Sequence, residues 1–111
     1  MASTADSTGA VLTTSAADIY TVPAGKVAHI LGITAANIDG TNPVDVTAQW
    51  TNASAADAIT RLAYLVTVAA KDSRSLLAGP LALRAGDKIR ALATAADYAE
   101  ITVAYYLEDE A

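Results

Sequence analysis

Cysteine is missing from these 111 residues, so the chain has neither a disulfide framework nor a thiolate metal site. Histidine occurs once, as His29, and a single imidazole cannot build a His-based metal centre. Phenylalanine is absent too, and aromatics make up only 5% of the chain. Much of the 53% hydrophobic fraction is alanine, which predicts a core of small side chains with modest buried area per residue. Subunit contacts are therefore expected to add to stability. Basic residues are scarce: 7 Lys and Arg stand against 12 acids, a net charge of −5. A phosphate backbone needs a basic face, so nucleic acid is excluded as an expected partner. No apolar run reaches the roughly 18 residues of a membrane helix, and no membrane association is expected. The opening MASTADSTGA lacks the basic and apolar regions of a signal peptide, which points to synthesis and folding in a cytoplasm.

What is present is a series of short apolar segments punctuated by turn formers. The clearest lies in Ile19 to Asn37, IYTVPAGKVAHILGITAAN, which reads as strand, tight turn and longer strand. Pro23 presets φ for a turn, and Gly25 tolerates the left-handed conformation where the chain re-enters the sheet. Val27 to Ala36 is apolar apart from His29 and Thr34, so it needs cover on both faces, or on one face plus a partner subunit.

Residues 1–9 hold little apolar surface and read as a flexible N-terminal arm, which a neighbouring subunit could order. Val11 to Thr14 and Asp18 to Val22 are short strands. Asn37 to Pro43 is dense in turn formers. Val44 to Trp50 alternates, with Val44, Val46, Ala48 and Trp50 on the core face and Trp50 anchoring one end. Thr51 to Ala58 is a loop with room for one helical turn. Ile59 to Ala69 is a long strand that puts Leu62, Tyr64, Val66 and Val68 on one face. Gly79 and Pro80 interrupt the segment Ser75 to Leu83. Gly86 and Asp87 launch the strand Asp87 to Ala93. In Ala99 to Leu107, Ile101, Val103, Tyr105 and Leu107 face one way and Glu100, Thr102, Ala104 and Tyr106 the other. Residues 108–111 read as an acidic, solvated tail.

Turn signals recur about every 8–12 residues, and no segment carries a sustained helical stripe. The predicted fold is all-β: a single antiparallel β-sandwich over residues 10–107, jelly-roll or immunoglobulin-like, with about eight strands.

Chemistry has few candidates. His29 lies in the most apolar strand with no glycine-flanked serine nearby, so no nucleophile and base are paired. A histidine in that setting is a packed or interface residue; at an interface it would make assembly sensitive to pH. Asn37 to Asn42 faintly resembles an oxygen-ligand loop but lacks the acids of a calcium site, and reads as a turn. Asn52-Ala53-Ser54 matches a glycosylation sequon by chance. No catalytic residue, cofactor site or metal site is expected. Tyr106, on the outer face of the last strand, is a candidate contact residue, because tyrosine is large with a polar tip.

Two phrases carry a resemblance: Ile19-Tyr20-Thr21-Val22-Pro23-Ala24-Gly25-Lys26 with the following strand that ends in Asn37, and Leu83-Arg84-Ala85-Gly86-Asp87. Over Asp18 to Leu107 the chain resembles small virion structural proteins of tailed bacteriophages, of the head decoration or cement type. The resemblance implies a β-sandwich on the outer surface of the head, bound to the major capsid protein or another virion protein, often as a homo-oligomer with a trimer favoured. It implies no enzyme activity. Ser3, Thr4 and Asp6 of the arm, with His29 and Tyr106, are the interface candidates. The alternative is a tail, neck or head-fibre component, or a sandwich binding carbohydrate or a host surface, in which Trp50 or the tyrosines would lie exposed in a groove.

Overall fold

The computed structural model describes residues 3–110. Nine strands lie among them: β1 Ser3–Val11, β2 Ala17–Thr21, β3 Lys26–Asn37, β4 Val44–Asn52, β5 Ala58–Val68, β6 Ser73–Ser75, β7 Leu81–Arg84, β8 Lys88–Ala93 and β9 Ala99–Asp109. A 3-10 turn, Ala53–Ala55, joins β4 to β5. All pairing is antiparallel and falls into two sheets. One runs β1-β9-β3-β6, with β7 also paired to β3; the other runs β2-β8-β4-β5. The expected all-β sandwich is what the chain forms.

Connectivity decides between the two expected layouts. With β6 and β7 taken as halves of one strand, successive strands alternate between sheets from β1 to β4 and turn at the β4–β5 hairpin. They then alternate back to β9. That winding is a jelly roll. The split between β6 and β7 falls where Gly79 and Pro80 predict it, because proline cannot donate to a ladder.

The core lies between the sheets. Leu12, Ile30, Ile33, Leu83, Ile89 and Ile101 are its largest fully buried members, and Ala28, Ala35, Ala48, Ala91, Ala93 and Ala99 fill the spaces between them. Period-two alternation delivers the strand residues among these to one face of each strand. In β3 the alternation slips at a bulge between Ile30 and Gly32, so Ile30 and Ile33 both turn inward and Leu31 is left 58% exposed.

Three expectations are corrected. Residues 3–9, expected as a flexible arm, form most of β1, which pairs with β9 from Ser3 opposite Glu108 to Val11 opposite Glu100. The open main-chain edge of β9 recruits the segment through ladder bonds, which need no apolar side chains. Residues 1, 2 and 111 lie outside the described residues. The tail starts later than expected: Glu108 and Asp109 belong to β9, where Lys26 pairs with Asp109 and His29 Nε2 lies 2.6 Å from Glu108 Oε1. Tyr64 does not share the face of Leu62, Val66 and Val68 that its spacing predicts. Register shifts in the β4–β5 ladder, with Leu65 in the left-handed region at φ 50°, rotate it out to 63% exposure.

Candidate functional site

The two phrases that carry the resemblance meet at one end of the sandwich. Val22 N–H donates to Asp87 O (2.9 Å) and Gly86 N–H donates to Val22 O (3.0 Å), so the β2–β3 turn and the β7–β8 turn are tied together. Gly25 and Gly86 hold positive φ, 75° and 86°. Gly86 also passes so near the 3-10 turn that a Cβ would stand 3.2 Å from the Ala53 Cβ. The Asp87 side chain is buried and accepts from Arg84 N–H and Ala53 N–H, each at 2.9 Å.

Asn37, the last residue of β3, closes the other end. Its side-chain amide donates to Asn42 O (2.9 Å) and Val68 O (3.0 Å), and its oxygen accepts from Asp39 N–H (2.9 Å). Asp39 in turn accepts from Thr41 and Asn42 N–H, and those two bonds hold its carboxyl below the usual carboxylate range. The Asn37 to Asn42 segment is therefore a side-chain-braced turn, as its composition predicts. These motifs shape the fold.

The interface candidates divide between two faces. His29 and Tyr106 are directly opposite in the β3–β9 ladder, on the outer face of the larger sheet, with ring centroids 5.8 Å apart. Ala5 of β1 and Ala82 of β7 extend the same row, and Ala104 follows Tyr106 two residues back along β9. Together with exposed Leu31, they make an outer face of small and apolar residues. Ser3 stands opposite Glu108 in the β1–β9 ladder. Thr4 and Asp6 fall on the other side of β1, opposite Leu107 and Tyr105, whose side chains pack on the core. There Tyr105 stacks on Tyr20 with centroids 4.2 Å apart. Burial, then Tyr105, then Asp6 push the Tyr20 phenol from 10.0 up to about 12, and burial with Asp6 raises Tyr105 as well.

Two surface clefts add little chemistry. A cleft of about 240 Å³ on the smaller sheet is lined by Asp18, Thr51, Asp57, Ile59, Lys88 and Arg90. Asp18 pairs there with Arg90 (2.8 Å) and Lys88 (3.4 Å). A second cleft of about 360 Å³ lies between β1 and β9, lined by Gly9 to Val11 and Glu100 to Thr102. Neither holds an aromatic side chain. Among the described residues no three His, Cys, Asp or Glu side chains come together as a metal site, and no helix is long and apolar enough to cross a membrane. Trp50 packs against the core, as its strand pattern predicts.

Sequence reasoning missed the Lys26–Asp109 pair, the Asp18–Lys88–Arg90 cluster and the Arg61 guanidinium over the Tyr64 ring at 5.3 Å. Each joins residues whose neighbourhood is set by strand order or by a bulge, and no spacing along the chain announces it.

No family model matches the chain, and a search of the curated proteins finds no match. Solved structures do share its fold. A chain from the acid-stable capsid structure of Helicobacter pylori bacteriophage KHP30 superposes with a TM-score of 0.63 at 13% identity, over 99% of this chain and 90% of that one. A chain from the Bacillus endospore appendages, which form disulfide-linked pili, superposes with a TM-score of 0.58 at 19% identity, over 99% and 88% respectively. At such identities the likeness is one of fold: this chain is a jelly roll of a kind found in a phage capsid and in a bacterial pilus.

Proposed function

We propose that this protein is a structural subunit of a phage virion: a capsid decoration or cement protein that binds the outside of the head as a homo-oligomer, a trimer favoured, against the major capsid protein or another virion protein. The observation that carries this reading is the likeness to the KHP30 capsid chain, which runs over nearly the whole of both chains. The face that carries His29, Leu31 and Tyr106 supports it, since aromatic and apolar side chains exposed side by side suit protein contact. Net charge −5 suits a surface turned away from DNA. Stabilisation then comes from apolar burial repeated by the symmetry of the shell. Catalysis has no part in it.

Co-sedimentation of the purified protein with head shells that lack it tests the proposal. Saturable binding that is lost in Leu31→Asp and Tyr106→Ala is expected. A protein that stays in the supernatant with shells of its own phage contradicts the proposal.

The pilus likeness favours a second reading, a subunit of a surface filament. Because this chain has no cysteine, such a filament would be held without disulfides. Long polymers formed by the purified protein in the absence of shells are the outcome that reading predicts. A tail, neck or fibre location fits the same fold. A carbohydrate-binding role has less support, since Trp50 is packed inward and exposed Tyr64 lies on edge strand β5, outside both clefts.

A further inference from the structure

β1 is joined to the molecule in a way that no other long strand is. From Thr4 to Val11 only Thr8 is even partly buried; the other seven side chains are exposed. The strand contributes nothing to the buried core, whose first member is Leu12. Four of its nine residues, Ala5, Asp6, Gly9 and Ala10, are of types depleted in strands. The inward side carries Asp6, set against Tyr105. A charge aimed toward the core face of an edge strand opposes packing there. The strand is held chiefly by its ladder with β9, where nine consecutive Cα partners run in register without a bulge.

The joint behind β1 is firm. Leu12 is 1% exposed, its N–H donates to Ala99 O (2.8 Å) and its carbonyl accepts from Asp97 N–H (3.1 Å). Thr13 O accepts from Ala93 N–H (2.9 Å). The chain is thus anchored to its own core at Leu12 and released immediately before it.

We infer that β1 exchanges between copies: the strand of one molecule leaves its own β9 and takes the same register on the β9 of a neighbour. The occupant is a second copy of this chain, because a strand of identical sequence restores on a neighbour the pairings from Ser3 to Ala10, while Leu12 stays on its own β9 and the residues next to it act as the hinge. Few other strands of this molecule qualify. β3, β4, β8 and β9 each bury side chains at the centre of a sheet. Exchange of an identical element is a low-barrier route from monomer to assembly, and the closed monomer and the linked assembly then differ mainly at the hinge. This inference rests on the assembly proposed above and names the segment that would link its subunits.

Two single-cysteine variants of the full chain test it. Ser7 and Ala104 are directly opposite in the β1–β9 ladder, both small and on the outer face, and the natural chain has no other thiol. Opposed Cα atoms in such a ladder lie about 4.5–5.5 Å apart, within disulfide reach. Ser7→Cys made with heavy isotope and Ala104→Cys made light are unfolded together, refolded, assembled at high concentration and oxidised. The oligomer fraction is then digested and read by mass spectrometry. A heavy–light peptide joining positions 7 and 104 is the expected result, since neither chain can form that bond alone. The double variant reports the closed form through its intrachain bond. Oligomers that lack the heavy–light peptide overturn the exchange and leave assembly standing. A chain that stays monomeric at every concentration and on shells overturns both.

Discussion

Asp87 ties three segments together, two of them through its carboxylate. It accepts from Arg84 N–H in its own turn and from Ala53 N–H at the start of the 3-10 turn, while its backbone carbonyl takes the Val22 N–H. A buried charged acceptor with two donors is worth about 1.5–3 kcal/mol per bond. Asp87→Ala is expected to lower unfolding free energy by about 2–4 kcal/mol in urea, with Asp87→Asn in between; a loss below about 0.5 kcal/mol would contradict this role. Tyr20 shows the opposite case. Its hydroxyl is buried with no protein partner among the described residues, and its phenol is pushed up to about 12. Folding therefore favours the neutral phenol: that stability is whole below pH about 10 and is lost as pH rises from there through about 12. Tyr20→Phe should leave stability near neutrality within about 1 kcal/mol. Between about pH 8 and pH 11 it should lose less stability than the natural chain, and an equal loss in both proteins would refute the assignment. Asp87 was legible as a turn residue from Gly86-Asp87. Its bond to Ala53 was not, because the two residues meet only once β4 and β8 are neighbours.

Strand by strand, the sequence reads well where alternation is unbroken. Val44 to Trp50 and Ala99 to Leu107 put their expected faces inward, though in β4 the other face is buried too, at Thr47 and Gln49. It reads poorly at bulges. In β5 an extra residue near Leu65 turns Tyr64 outward, and no residue type there signals the slip. The energetic consequence is sharp: Ile33→Ala should cost about 2–5 kcal/mol, as for other buried large-to-small changes. Tyr64→Ala should change stability by no more than about 0.5 kcal/mol. Thermal unfolding of the two variants side by side checks the assignment of faces, and comparable losses would undo it. β1 misleads in another way. Its polar composition reads as an arm, yet main-chain pairing is indifferent to that composition, so the segment forms a strand without joining the core. A chain lacking residues 1–9 is expected to keep its core and cooperative unfolding while binding shells less tightly. Unchanged shell binding would remove β1 from the interface.

Across the whole molecule, a body of 48 × 27 × 20 Å offers one broad sheet face that carries Leu31, His29 and Tyr106, and a smaller sheet on which Asp18 pairs with Lys88 and Arg90. All-β architecture was legible from turn spacing. The jelly-roll winding was not, because sandwiches of different connectivity share the same alternation and turn chemistry. The virion resemblance rested only on short turn motifs, and these prove to be the bonds that close the two ends of the sandwich. Where the protein resides therefore decides whether it is a virion subunit. Quantitative mass spectrometry of purified virions carrying this chain measures its copy number per particle. A coat-binding role predicts on the order of hundreds of copies in a ratio set by the symmetry of the shell; its absence from the particle would contradict the account.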